Sequence, residues 1–320
     1  MSLMSKSTAL TVYKATYTPD AEALLKAAFN PIDTTSDALS FGFVNIDDYM
    51  DNSWKKSPPE KGRFMAFSLR IDTRRIPGAV LKKKYKLALE AELADSQSRS
   101  SKKFISKDRK QEIKDQVTLR LLAKMEPAPA VFDVVVDPTE NTVLLCSASK
   151  SVKNLFQAIW GAMFDDQLIE QTPDVLANGR DLLDDASGFL TDVFTKTMEL
   201  TCGRLFVPNK AVVVSDTDKA AMTLEAPESI ELTTLSAPLT DGKVVKATIV
   251  MEAESGAEFT LTTRAGDLGI TGLKTPIVKP DSDDPDGAFL EKVFLVSQVV
   301  DILHTAYKTH AGVITTSSDF

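Results

Sequence analysis

The sequence predicts an α+β fold: several subdomains of antiparallel sheet with packed helices and a protruding basic helical hairpin. Three observations predict it. Helical periodicity appears in separate blocks set among strand-like runs, in the order strand–helix–strands, two helices, strand–strand–helix, helix, strands, helix. Residues 204–278 read as short apolar runs broken by turn residues, the pattern of an antiparallel meander. Basic charge is concentrated in one helical stretch of an otherwise acidic chain.

Taking the elements in order, residues 9–16 are rich in β-branched and aromatic types and read as a strand. Thr18-Pro19-Asp20 supplies a helix start, and the helix runs to about Phe29 with Leu24, Leu25 and Phe29 on one side. Residues 39–44 and 63–71 are further strands, separated by a loop holding Asp47, Asp48 and Asp51. A helix follows over 80–93, with Leu81, Tyr85 and Ala88 on its apolar side and Lys82, Lys83 and Lys86 on its polar side. The polar stretch from Asp95 to Lys103 reads as a loop or frayed helix end. Ser106 caps a second helix, in which Ile113, Val117 and Leu121 recur every fourth residue. Tyr85 and Phe104 read as core or hairpin packing, with contact to a partner subunit as the alternative. Pro127 and Pro129 close the hairpin; 131–136 and 142–146 pair across the turn Asp137-Pro-Thr-Glu-Asn, and helices follow over 150–163 and 181–199. Strands at 211–214, 244–251 and 259–263 lead to a closing helix over 289–307 and a mobile tail. A soft prior of about 150 residues per domain gives roughly two units or one elongated chain of several subdomains, and the elements imply the latter, with subdomains 1–75, 76–126, 127–200 and 201–320. The second methionine, Met4, suggests that Met1, Ser2 and Leu3 are foreign to the natural chain, and the fold reading leaves them out.

Composition narrows the function. The apolar fraction of 43% and charged fraction of 26% are ordinary for a folded soluble chain. Cys146 and Cys202 are too few for a disulfide scaffold or a four-cysteine zinc site, and point to a reducing compartment with both thiols packed. No apolar run reaches the ~18 residues of a membrane span, and the start lacks a secretory core. The net charge of −8 hides its distribution. Residues 70–124 carry 16 basic and 7 acidic side chains, whereas the remaining 265 residues carry 21 and 38. One basic surface on an acidic body suits a polyanion that is repelled elsewhere; a solvated hairpin without ligand is the alternative.

A search for catalytic groups finds little. His304 lies within the closing helix, where packing suits it better than base catalysis, and His310 is expected in solvent. No nucleophile elbow, Walker loop, dinucleotide fingerprint or zinc-protease signature occurs. The run beginning at Asp281 fails as a calcium loop, with Pro285, Asp286 and Lys292 at positions needing other residues. Asp47, Asp48 and Asp51 leave a Mg²⁺ nuclease open as a minor reading. No enzyme, metal or cofactor is implied.

At the hairpin a resemblance emerges. Ile76-Pro-Gly-Ala-Val-Leu-Lys82, a charged helical segment, Ile113-Lys-Asp-Gln-Val117 and Leu121-Leu122 resemble the central region of the RdgC family of recombination-associated DNA-binding proteins. The strand pair after the hairpin, Ser147-Ala-Ser-Lys150, Asp241-Gly-Lys-Val-Val-Lys246 and the C-terminal helix continue the likeness in order. Leu121-Leu-Ala-Lys-Met stands where the family carries Pro and Phe, so the chain reads as a divergent member. The resemblance implies a non-catalytic homodimer that closes as a ring around double-stranded DNA, without reading sequence. It also implies a link to RecA-type recombination, indirect and through shared DNA, and a cytoplasmic, nucleoid-associated location. The DNA-facing candidates are Lys82, Lys83, Lys86, Lys102, Lys103, Lys107, Arg109, Lys110, Lys114 and Lys243. Of these, Lys82, Lys114 and Lys243 occupy positions matching the family pattern, and the others rest on charge clustering. The alternative is a protein-interaction or structural module whose basic hairpin docks an acidic partner.

Overall fold

Fourteen strands and seven helices form among the described residues of the computed structural model, which are 2–100, 104–179, 185–226, 242–279, 284 and 286–314. In chain order they are β1 (Thr8–Lys14), α1 (Ala21–Lys26), β2 (Leu39–Asn45), β3 (Glu60–Lys61), β4 (Phe64–Thr73), α2 (Gly78–Ser100) and α3 (Lys107–Leu122). Next come β5 (Ala128–Asp137), β6 (Thr142–Leu145), α4 (Lys150–Phe164), β7 (Ile169–Glu170), α5 (Pro173–Leu176), α6 (Asp185–Thr195), β8 (Met198–Leu200) and β9 (Gly203–Phe206). The last are β10 (Lys210–Ser215), β11 (Ala221–Glu225), β12 (Gly242–Ala253), β13 (Glu258–Arg264), β14 (Ile270–Lys274) and α7 (Gly287–His310). The fold is α+β. Two compact units divide the chain: Met1–Ala23 with Pro58–Phe67 and Phe132–Phe320, and Leu24–Ser57 with Ser68–Val131.

The first unit is organised on an antiparallel path, β11-β10-β12-β13-β14-β1-β6-β5. The β5–β6 turn forms because the Asp137 carboxylate accepts the Thr139 N–H at 2.9 Å, while Asn141 takes the left-handed conformation at φ 51°. Along β12, Val244, Ala247, Ile249, Met251 and Ala253 are buried, and α6 packs against this strand. The Thr191 hydroxyl of α6 accepts the Val244 N–H at 3.0 Å. Helix α4 buries Val152, Phe156, Ile159 and Trp160. Phe156 lies 5.7 Å from Trp160 and 6.0 Å from Tyr13 of β1, and the Trp160 indole donates to Asp166 at 3.0 Å. Burying the aromatic bodies while satisfying the indole N–H fixes α4 on the sheet. Helix α7 is buried on more than one side and takes Lys292 inside, its ammonium donating to the Thr275 hydroxyl at 2.7 Å.

In the second unit, Gly42 lets β2 approach the turn after α1. A Cβ there would meet the Phe29 Cα at 2.4 Å, and Phe29 and Phe43 are tied by a backbone bond of 2.9 Å. Arg70 and Asp72 form a buried two-pronged pair at 2.8 and 2.7 Å, with the guanidinium over the Phe29 ring at 4.3 Å.

Several sequence expectations change. Helix α1 ends at Lys26, leaving Leu25 48% exposed, and Phe29 is buried outside the helix because its backbone has joined Phe43. Of the two readings of the polar stretch from Asp95, loop or helix end, the helix end holds: α2 continues to Ser100, and residues 101–103 lie outside the described residues. Met198 belongs to β8 rather than to a long helix, since Thr195 ends α6 and Met198 pairs with Leu205. Residues 181–184 of that expected helix lie outside the described residues. Leu3, left out of the fold reading, is fully buried, and its N–H donates to Asp133 at 2.7 Å. Helix or strand end positions follow such contacts more than local propensity.

Candidate nucleic-acid interface

The hairpin starts from its own local signals. Ser106 has an extended backbone, and its hydroxyl accepts the Arg109 N–H at 3.2 Å, which starts α3 by satisfying one of the orphan amides. Ile113 and Val117, one turn apart, are buried, and α2 and α3 pack on each other. None of the described side chains of α2 is fully buried; Tyr85 is half-buried. Phe104 was expected to pack but is 87% exposed, because it precedes the cap of α3 rather than lying on either helix.

The basic side chains divide into two kinds. Arg109 donates through Nε and Nη2 to both oxygens of Glu92 on α2, at 2.9 and 3.1 Å, and through Nη1 to Glu112 at 2.8 Å. Its charge is matched by two carboxylates, which hold its proton more firmly than usual. Arg109 thus clips the two helices together. Lys86 lies 3.8 Å from Glu90 one turn on, a pair between exposed groups. Lys82, Lys83, Lys107, Lys110 and Lys114 are exposed and make no ion pair among the described residues. At 100° per residue, Lys107, Lys110 and Lys114 share an arc of about 60° on α3, and Lys82, Lys83 and Lys86 one of about 100° on α2. Each triplet therefore presents one face of its own helix. Exposed Lys84, on the opposite side of α2 from Lys82, was missed within the Lys82-Lys-Lys-Tyr-Lys86 run, as were exposed Arg120 and Lys124. Lys102 and Lys103 lie outside the described residues. Lys243 is half-buried on β12 in the first unit, so it belongs to a different unit from the hairpin.

The acidic loop of the second unit has local work for its carboxylates. Asp51 accepts the Ser53 N–H and hydroxyl at 2.9 and 2.8 Å, the Lys56 N–H at 3.0 Å and the Asn45 amide at 3.4 Å. Burial pushes its carboxyl up, and these bonds outweigh burial to bring it to about 2. Asp47 accepts the Ser57 hydroxyl at 2.5 Å, and Asp48 pairs with Lys56. These contacts organise a turn. Among the described residues, no group of three or more His, Cys, Asp and Glu is placed to hold a metal ion. Asp281 and Pro285 of the rejected calcium loop lie outside the described residues.

His310, expected in solvent, has its Nδ1 3.1 Å from the Asp192 carboxylate and a side chain only 13% exposed. Phe189 and Tyr307 flank it at 5.7 and 6.5 Å, because α7 continues to His310 beside α6. Cys146 is buried and Cys202 half-buried; burial pushes both thiols up, away from the thiolate a nucleophile needs. No described helix is long and apolar enough to cross a membrane.

No curated protein matches the chain. The late segment and closing helix that share the resemblance lie beyond the matched region described next. Residues 9–166, from β1 through the hairpin to the carboxylate that receives the Trp160 indole, match the family model described as "Putative exonuclease, RdgC", and through this segment the chain belongs to the RdgC family.

Proposed function

We propose that the protein binds double-stranded DNA without sequence preference, as a ring-like homodimer, and modulates RecA-type recombination by occupying the duplex. The observation carrying this reading is the pair of lysine faces on α2 and α3, largely free of carboxylate partners in a chain of net charge −8. Ammonium groups on flexible stems neutralise phosphates and displace counterions, so log K falls with log salt by about 0.9 per phosphate contact. Such contacts orient a duplex without reading bases. An acidic remainder repels DNA elsewhere and confines it to the basic surface. A ring retains DNA topologically, which lets a few contacts suffice. The protein is proposed to act without catalysis.

The test is a gel shift of the whole chain at several salt concentrations, with Lys107, Lys110 and Lys114 changed together to Glu. Wild type is expected to bind unrelated duplexes alike. The variant should lose at least tenfold in affinity, with a salt slope shallower by about 3, one unit per lost phosphate contact. Unchanged affinity rejects this surface. Mass measurement in solution tests the dimer. Labelled linear duplex incubated with Mg²⁺ should remain full length; shortened products would favour the activity in the family's description. An acidic-protein complex that persists in a pull-down while DNA is not retained would favour the docking module instead.

A further inference from the structure

A cleft of about 430 Å³ opens in the first unit between β1, β5 and β6 on one side and α7 on the other. Its charged groups are of two kinds. Lys14 donates to the Glu140 carbonyl and the Thr142 hydroxyl at 2.7 and 2.8 Å, and Arg63 pairs with Asp137 at 2.6 Å. Lys14, Arg63 and Asp137 are thus engaged by their own neighbours. The carboxylates of Glu140 and Asp301, the imidazole of His304 and the ammonium of Lys308 also line the cleft, and none of them makes an ion pair among the described residues. Gln298 adds a second, independent sign: its Oε1 is buried on the cleft wall with no hydrogen-bond donor. A buried acceptor normally has a partner, so this oxygen marks a place where a donor is missing.

On α7 these groups form one stripe. Phe294, Gln298, Asp301, Thr305 and Lys308 recur at three- and four-residue spacing, and Phe294 at one end is 60% exposed. Burial, with Lys308 and Lys14 nearby, brings the His304 imidazole to about 4, so at neutral pH it is uncharged and one ring nitrogen is an acceptor. Burial and Glu140 push Asp301 up, a penalty that a cation beside it would relieve. Counting only the uncommitted groups, two carboxylates, an amide oxygen and a neutral imidazole face a single ammonium. The cleft is rich in acceptors and short of donors. No three ligating side chains among the described residues converge on a metal position, and the cavity has the size of a small organic ligand. The exposed Phe294 ring offers a surface to a methylene chain or to the cation itself.

We propose that this cleft binds an organic ammonium, whose N–H groups reach Asp301 and the Gln298 carbonyl oxygen while its carbon chain lies along Phe294. A free polyamine and the side chain of a lysine share this chemistry. The site is independent of the DNA-binding reading.

The test titrates the whole, nucleic-acid-free chain by calorimetry at fixed ionic strength. Spermidine is one probe, and lysine capped at both its amino and carboxyl groups is the other. An acidic chain attracts amines diffusely, so saturation at one site is the signal. Spermidine saturating alone assigns a free amine, and the capped lysine saturating assigns a side chain; either supports the cleft. Asp301→Asn should weaken binding about tenfold, the loss of one charge-assisted hydrogen bond. Phe294→Ala, at an exposed position that the fold does not need, should weaken it about threefold. Absence of one-site saturation by both probes overturns the proposal, as does wild-type affinity in Phe294→Ala together with Asp301→Asn. If Asp301→Asn does not fold, wild-type affinity in Phe294→Ala alone overturns it.

Discussion

Helix α4 and the α2–α3 hairpin both lie within the residues that match the RdgC family, yet they are built on opposite terms. Helix α4 buries four large side chains in fifteen residues and satisfies its indole N–H with a carboxylate. Helix α3 buries two, and α2 none among its described side chains. The hairpin is instead held by mutual packing and by Arg109 bridging Glu92 and Glu112. In α4 the sequence is spent on interior contacts, in the hairpin on surface charge. A change in the first should cost stability, and a change in the second should cost binding.

The largest expected effect breaks or sustains that contrast directly. Phe156 is fully buried between Tyr13 and Trp160, and Phe156→Ala should destabilise the first unit by about 3–5 kcal/mol through lost burial and the cavity left behind. Leu119 on α3 is 53% exposed, and Leu119→Ala should change stability by no more than about 0.5 kcal/mol. Urea unfolding can separate the two units, because Trp160 reports the first and Trp54 the second. Equal costs for the two substitutions would remove the distinction between the helices.

What the sequence made legible follows the same division. Period-two burial along β12 and the apolar helix pattern of α4 are local, and both elements were read close to their observed bounds. The charge count found the hairpin and its lysines. It could not separate Arg109 from them, because only the folded hairpin brings Glu92, 17 residues away, against the guanidinium. Buried Lys61, paired with Asp286 at 2.7 Å, and buried Arg74, donating to the carbonyls of Ile32 and Thr35, were invisible for the same reason. A basic residue in a sequence reads as surface, and its partner lies 225 positions away in the first case. The sequence leaves Asp95-Ser-Gln-Ser between loop and helix end because polar residues carry no helix period to count, whereas α2 continues through it.

A second prediction sharpens the comparison through pH, since only the first unit holds a histidine. His304 faces Lys14, Arg63, Asp137 and Glu140 from the strand side of the cleft, and Asp301 and Lys308 from its own helix. Burial first, then the two lysines, depress its folded pKa to about 4, whereas the unfolded imidazole titrates near 6.5. The unfolded chain therefore takes up the proton first. Stability contributed by neutral His304 is complete above about pH 6.5 and is lost as pH falls toward 4, by on the order of 3 kcal/mol. Asp301, pushed up by burial and Glu140, works in the other sense and offsets part of that loss. His304→Gln should flatten the pH dependence of the Trp160 transition between pH 6.5 and 4 and leave the Trp54 transition unchanged. Identical pH profiles for wild type and variant would exclude His304 as the source.

The smallest effect discriminates best, because stability and binding should move in opposite directions. Lys107 is the first residue of α3, where the positive end of the helix dipole disfavours a cation, and the neighbouring Asp108 is the acid suited to that turn. Lys107→Glu should therefore raise the stability of the second unit by a few tenths of a kcal/mol, read from the Trp54 transition. The same substitution should weaken duplex binding and lower the salt slope by about 1 to 2, depending on whether Glu only removes a contact or also repels the phosphate. Higher stability with unchanged binding would mean that Lys107 is merely a poorly placed surface residue. Higher stability with weaker binding would mean that the hairpin retains an unfavourable cation at its helix start because a polyanion is what that cation serves.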